Sequence, residues 1–235
     1  MLCKIADLLV EVPADGGMDV RCTDYLYDQP GEPDITITTD MYKPDSWPGI
    51  PPEGIAYMES GTYFYLYLLQ HDGLMLHSSA VEMDGKAYLF SGPCGMGKST
   101  HTRIWQQTFG EKAQVFNDDK PALRCVDGTW YSYGTPWCGK DGINQNKKVP
   151  LAGICFLQQA PENKIRRLNR KEAMYRVLAQ TLYKFKLVEN LDRMLTHVDA
   201  LVRQIPVFEL ENRPEPAAAM LSYETMRRAA EEEIV

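Results

Sequence analysis

Hydrophobic positions along this chain alternate between two spacings. Period-two runs bounded by Gly, Pro and Asp predict short strands over residues 5–12, 20–27 and 34–39. A proline-rich passage over 44–54 reads as a loop. Apolar residues at 57, 58, 64, 65, 68 and 69 then predict a helix over 55–70, whose tyrosines read as core and rim residues. Residues 74–82 and 86–91 read as two strands joined at Asp84-Gly85, a dipeptide suited to a tight hairpin turn. Pairing Met83 with Lys86 fixes the register and sets His77 opposite Gly92.

Further on, the pattern predicts a helix over 99–109, strands over 114–116 and 122–126, and an aromatic, glycine-rich loop over 130–146. A strand over 151–157, helices over 171–184 and 191–203, a strand over 207–210 and a terminal amphipathic helix over 216–233 complete the series. Interleaved strands and helices place the chain in the α/β class, and the hairpin argues for a mixed, partly antiparallel sheet flanked by helices. Two units are expected: a strand-rich segment over 1–72 packed on the core, and a catalytic domain over 73–235. One continuous domain over 1–235 is the alternative.

Composition narrows the function. With 25 Lys+Arg against 32 Asp+Glu, the net charge is −7 and no basic cluster offers a nucleic-acid or anionic-membrane face. The six cysteines, at 3, 22, 94, 125, 138 and 155, form no CxxC and no zinc spacing with His, so free thiols in a reducing compartment are expected. The first residues, MLCKIADLLVEV, lack the features of a secretory signal, and the apolar run 63–69 is too short to span a bilayer. A cytoplasmic protein is expected.

The chemistry concentrates in three places. Gly92-Pro93-Cys94-Gly95-Met96-Gly97-Lys98-Ser99 fits G-x-x-x-x-G-K-[ST] between a strand and a helix. Such a loop turns backbone N–H groups and a helix N-terminus toward phosphate oxygens, with Thr100 beginning the helix beside it. Lys98 would bridge the β- and γ-phosphates and Ser99 would ligate Mg²⁺. Asn117-Asp118-Asp119 follows a strand, where one acid can hold the metal while its neighbour faces an acceptor. His77, by register, stands beside the loop and could support an aspartate or a metal. His71, His101 and His197 have no such placement and read as structural or surface residues. Among Lys140, Lys147 and Lys148, which flank a loop able to fold over a nucleotide, Lys140 is the best candidate to stabilise a transferring phosphoryl.

The ordered set His77-Ser78-Ser79-Ala80, Asp84-Gly85, Gly92–Ser99 and Asn117-Asp118-Asp119 resembles the HPr kinase/phosphorylase and phosphoenolpyruvate carboxykinase superfamily, over roughly residues 74–160. With Gly134-Thr135-Pro136-Trp137, Asn144 and Val149-Pro150-Leu151, it is similar to bacterial HPr-kinase-like proteins, some of which sit in peptide-modification pathways. The resemblance implies that Lys98 and Ser99 hold phosphates and Mg²⁺, with Mn²⁺ as a substitute. It makes Asp118 a metal ligand, Asp119 the base on a hydroxyl or a second metal ligand, and His77 the support of Asp119 or of a second metal. It also implies an oligomer. HPr itself and carboxykinase chemistry are not expected, because 134–146 replaces the HPr-kinase signature and the carboxykinases are far longer.

The expected activity is therefore an ATP- and Mg²⁺-dependent transfer of the γ-phosphoryl to an alcohol, a serine or threonine of a small protein or peptide. Two alternatives stand beside it: a small-molecule kinase, favoured by a deep pocket walled by the aromatics of 130–137, and a non-catalytic nucleotide-sensing module.

Overall fold

The computed structural model describes residues 1–181 and 188–232. The ends of two expected helices, 182–184 and 233, lie outside them. An N-terminal hairpin of β1 (Leu2–Ile5) and β2 (Leu8–Glu11) is joined by a short parallel strand, β3 (Ile35–Thr36), with helix α1 (Met18–Arg21) between them. Helix α2 (Pro52–Leu68) leads to β4 (Gly73–Met75), β5 (Ser78–Met83), β6 (Lys86–Ser91), α3 (Lys98–Phe109), β7 (Gln114–Asp119), β8 (Ala122–Val126) and β9 (Thr129–Tyr133). The chain continues through β10 (Lys148–Gln159), β11 (Lys164–Arg167), α4 (Arg170–Leu178), α5 (Val188–Gln204), β12 (Val207–Asn212) and α6 (Pro216–Glu232).

The main sheet is mixed and largely antiparallel, in the order β4-β8-β9-β10-β6-β5-β7. The long strand β10 joins its two parts. Its first residues pair with β9, while Ile154–Gln159 run parallel to β12, which carries β11 on its far side. On its other edge β10 runs parallel to β6. Strand β6 is covered on both faces: Ala87 and Leu89 pack toward one core with Val177 of α4 and Val198 of α5. Tyr88 and Phe90 pack toward another with Trp105 of α3 and Met226 of α6. A third core holds the N-terminal sheet against α2, where Val10 and Ile35 share a cluster with Phe64, Leu68, Tyr133 and Trp137.

Several expectations change. The 5–12 run is broken at Ala6-Asp7, both at positive φ, so it is a tight hairpin rather than one strand. Residues 20–27 form no strand: Met18, Cys22 and Tyr25 are buried at helical spacing while Val20 is 74% exposed. The 74–82 run splits into β4 and β5, which lie in different parts of the sheet. The β5–β6 register is the expected one, from Met83–Lys86 to Ser78–Ser91, and the ladder stops one pair short of His77. The 130–146 stretch is not a free loop. It begins with β9, and Trp130 and Trp137 are both buried. Among the described residues no helix is long and apolar enough to cross a membrane.

Candidate functional site

The sheet order assembles the site. Strand β5 lies between β6 and β7 and runs antiparallel to both, so its entry shares an edge with their exits. The glycine-rich loop leaves β6, the acid pair ends β7, and His77 enters β5 between them. The loop turns into α3 through Gly95 and Gly97, at φ +80° and +96°, conformations that glycine adopts without a Cβ penalty. Pro93, Cys94 and Gly95 are exposed, Gly92 and Lys98 are buried, and Thr100 is exposed on the first turn of α3. The Lys98 ammonium folds back to donate to the carbonyls of Gly92 (3.0 Å) and Pro93 (3.3 Å). Burial lowers its pKa, against the pull of Asp119.

The two adjacent carboxylates part. Asp118 is only 7% exposed and accepts from the Ser99 hydroxyl at 2.9 and 3.1 Å. Among the described residues no Lys, Arg or His forms an ion pair with it, although the Lys98 ammonium feels the charge of Asp118 as well as that of Asp119. Its main chain is clamped by Ile143 and Gly139, the latter donating to Asp118 O at 2.7 Å. Asp119 stands at φ +95°, a strained setting for a non-glycine residue, pinned between its pairing with Ser78 and a bridge to Cys138.

Asp119 Oδ1 lies 3.0 Å from His77 Nε2, and its Oδ2 is ion-paired with Lys120. Burial would raise this carboxyl, but the His77 hydrogen bond and the Lys120 ammonium hold it at about 2. The remaining His77 nitrogen lies 3.2 Å from Gln180 Oε1, and the His77 amide donates to Gln180 O at 2.8 Å. Lys120 also donates to the Tyr57 hydroxyl at 3.0 Å, and Tyr57 donates in turn to Cys138 O at 2.8 Å. A hollow of about 340 Å³ opens beside this group, lined by Met75, His77, Asp119, Lys120 and the end of α4.

His77, Lys98, Ser99, Asp118 and Asp119 are therefore gathered at one edge of the sheet. Lys140 is not drawn into this network: it is exposed in the turn after Gly139, and no ion pair of it is seen among the described residues. Lys147 is bound to Glu82 (2.8 Å) and Lys148 to Asp7 (2.7 Å). The cation on the acid is Lys120, legible only as the neighbour of Asp119. Tyr57 and Gln180 come from elements remote in sequence and gave no signal. Ser99 and Asp118 bring a hydroxyl and a carboxylate together, oxygen donors of the kind a magnesium ion takes. No cluster of three or more His, Cys, Asp or Glu side chains is placed to hold a metal among the described residues.

The HPr(Ser) kinase/phosphatase from Coxiella burnetii is similar in structure with a TM-score of 0.37 at 12% identity, over 68% of this chain and 92% of that one. A search of curated proteins gives no match. The family model described as SynChlorMet cassette protein ScmC matches residues 55–213, which include every residue of the site described above. The chain belongs to the ScmC family.

Proposed function

We propose that this protein is an ATP-dependent phosphotransferase that moves the γ-phosphoryl group to an alcohol, a serine or threonine on a peptide or small protein. The observation that carries the reading is the division between adjacent acids: Asp118 sits on Ser99 at the glycine-rich loop, whereas Asp119 faces a separate hollow with His77 and Lys120. A phosphoryl transfer needs those two environments side by side.

In this reading the loop amides and the N-terminus of α3 bind the phosphates. Lys98 leaves the carbonyls of Gly92 and Pro93 for the β- and γ-phosphate oxygens. Ser99 and Asp118 would hold Mg²⁺, for which Mn²⁺ could substitute, and such an ion would supply charge neutralisation at the phosphoryl group. The acceptor oxygen bonds to the γ-phosphorus as the bond to the β–γ bridging oxygen breaks, and ADP leaves. The hydroxyl proton passes to Asp119. Because the transition state is loose, that proton moves late, and a carboxylate kept ionised and correctly aimed suffices. His77 and Lys120 fix its two oxygens.

The burial of Trp130 and Trp137 removes the aromatic walls that a small-molecule pocket was expected to have, which favours a peptide-sized acceptor. The test is transfer from γ-labelled ATP with Mg²⁺ into a size-fractionated host lysate. Label in a macromolecular band is the expected result. Label confined to small molecules makes this a small-molecule kinase, and nucleotide binding without any transfer makes it a sensor.

A further inference from the structure

Lys120 reaches Asp119 from a main chain that is itself fixed. Its carbonyl accepts from the Tyr65 hydroxyl and, at 2.8 Å, from the Thr135 hydroxyl. The side chain is only 23% exposed, so its ammonium depends on protein partners rather than on water. Burial works against the charge, and Tyr57 and Asp119 overcome it, raising the Lys120 pKa above the ordinary lysine value. One of those partners is the acid itself; the other comes from a different part of the fold.

Tyr57 lies on α2 and packs against the core that the N-terminal sheet shares with β8 and β9. Its hydroxyl is 3.0 Å from Lys120 Nζ and 2.8 Å from Cys138 O. An ammonium can only donate and a carbonyl can only accept, so the Tyr57 proton is committed to Cys138 and its lone pair to Lys120. Cys138 bridges back to Asp119 through the main chain. Asp119, Lys120, Tyr57 and Cys138 thus close a ring of contacts around a residue held at φ +95°. The Arg21 guanidinium, at the end of α1, lies 4.6 Å from the centre of the Tyr57 ring and donates to Cys138 Sγ at 3.4 Å. It braces two members of the ring from the N-terminal segment.

We infer that Tyr57 is a positioning residue for phosphoryl transfer: its hydroxyl holds Lys120 on Asp119 Oδ2 and so keeps the carboxylate aimed at the acceptor hydroxyl. Without that hydroxyl the ammonium must find another acceptor, and it can swing the acid with it. The inference rests on the role proposed for Asp119, and the experiment separates the two. Tyr57→Phe is the variant of choice, because it removes one oxygen and leaves the ring beside Arg21.

Two readouts are taken on the full chain. The first needs no activity: brief labelling with acetic anhydride, with acetylation of Lys120 measured by mass spectrometry against the exposed Lys140. Lys120 is expected to label about threefold or more faster in Tyr57→Phe than in the wild-type chain, because the ammonium has lost an acceptor. The second is transfer from γ-labelled ATP with Mg²⁺ into a host lysate. Tyr57→Phe is expected to lower the rate at saturating ATP about tenfold with the KM for ATP unchanged, and to have no further effect in a Lys120→Met background. A residue that only supports the fold would lower the rate by the same factor in both backgrounds. Unchanged labelling of Lys120, an unchanged transfer rate, or a loss that persists in Lys120→Met each overturns the inference and leaves the proposed function standing. If the wild-type chain transfers nothing, the proposed function falls, and the positioning role with it, whatever the labelling shows.

Discussion

His101 shows how one buried side chain sets a pH response. Desolvation holds its pKa at about 3, against about 6.5 for the ring in an unfolded chain. Between those values the unfolded state takes up a proton that the folded state refuses. Stability is therefore lost as pH falls from about 6.5 toward about 3 through this residue alone. In His101→Gln, the urea midpoint is expected to drop less between pH 7 and pH 5 than in the wild-type chain; parallel drops would show that His101 does not titrate on unfolding. Asp119 is the opposite case: burial works against its charge, and two specific partners overcome it. The glycine-rich turn from β6 into α3 was legible as a turn, because its signal is local. His77 was legible through the hairpin register, a simple count from Asp84-Gly85. Lys120 and Gln180 were not, because the partners of a side chain depend on which strand ends meet, and that is set by the sheet order.

At the scale of elements, α2 is fitted to the aromatic residues behind the site. A Cβ at Gly61 would come within 2.8 Å of the Trp137 ring. That ring cannot give way easily, since it stacks on Phe64 with centroids 4.7 Å apart and donates to Ser60 at 3.0 Å. Gly61→Ala gains up to about 1 kcal/mol of helix propensity. Overpacking typically costs about 1–3 kcal/mol, so net destabilisation is expected in urea titrations. A stabilised variant would mean that Trp137 is free to move. Helices α2, α3 and α6 were legible to within a few residues, because their apolar faces repeat at helical spacing. The N-terminal strands were read less well. The turn at Ala6-Asp7 has positive φ without glycine, and the buried positions 18, 22 and 25 belong to a short helix and a 3-10 turn. Strand β11 carries three basic residues in four and so no apolar alternation to read, although Arg166 pairs with the buried Glu209.

At the scale of the whole molecule, the N-terminal sheet and the sheet that carries the site share one apolar cluster, running from Val10 and Ile35 to Ala122 and Tyr133. We therefore expect the segment over 1–72 to unfold with the rest rather than as a separate unit. Val10→Ala, which empties a fully buried position, should cost about 2 kcal/mol. It should speed hydrogen exchange in β8 and β9 as well as in β1 and β2; an effect confined to β1 and β2 would mark two units. The central claim is that adjacent acids serve different substrates. Its most direct measurement compares Asp118→Asn with Asp119→Asn, reading Mg²⁺-dependent ATP affinity and γ-phosphoryl transfer in the same preparations. Asp118→Asn is expected to weaken Mg²⁺-ATP binding by about tenfold or more, while Asp119→Asn keeps wild-type affinity and loses transfer by about a hundredfold or more. If the two variants lose binding and transfer together and alike, or if Asp119→Asn transfers at the wild-type rate, the division of labour is wrong.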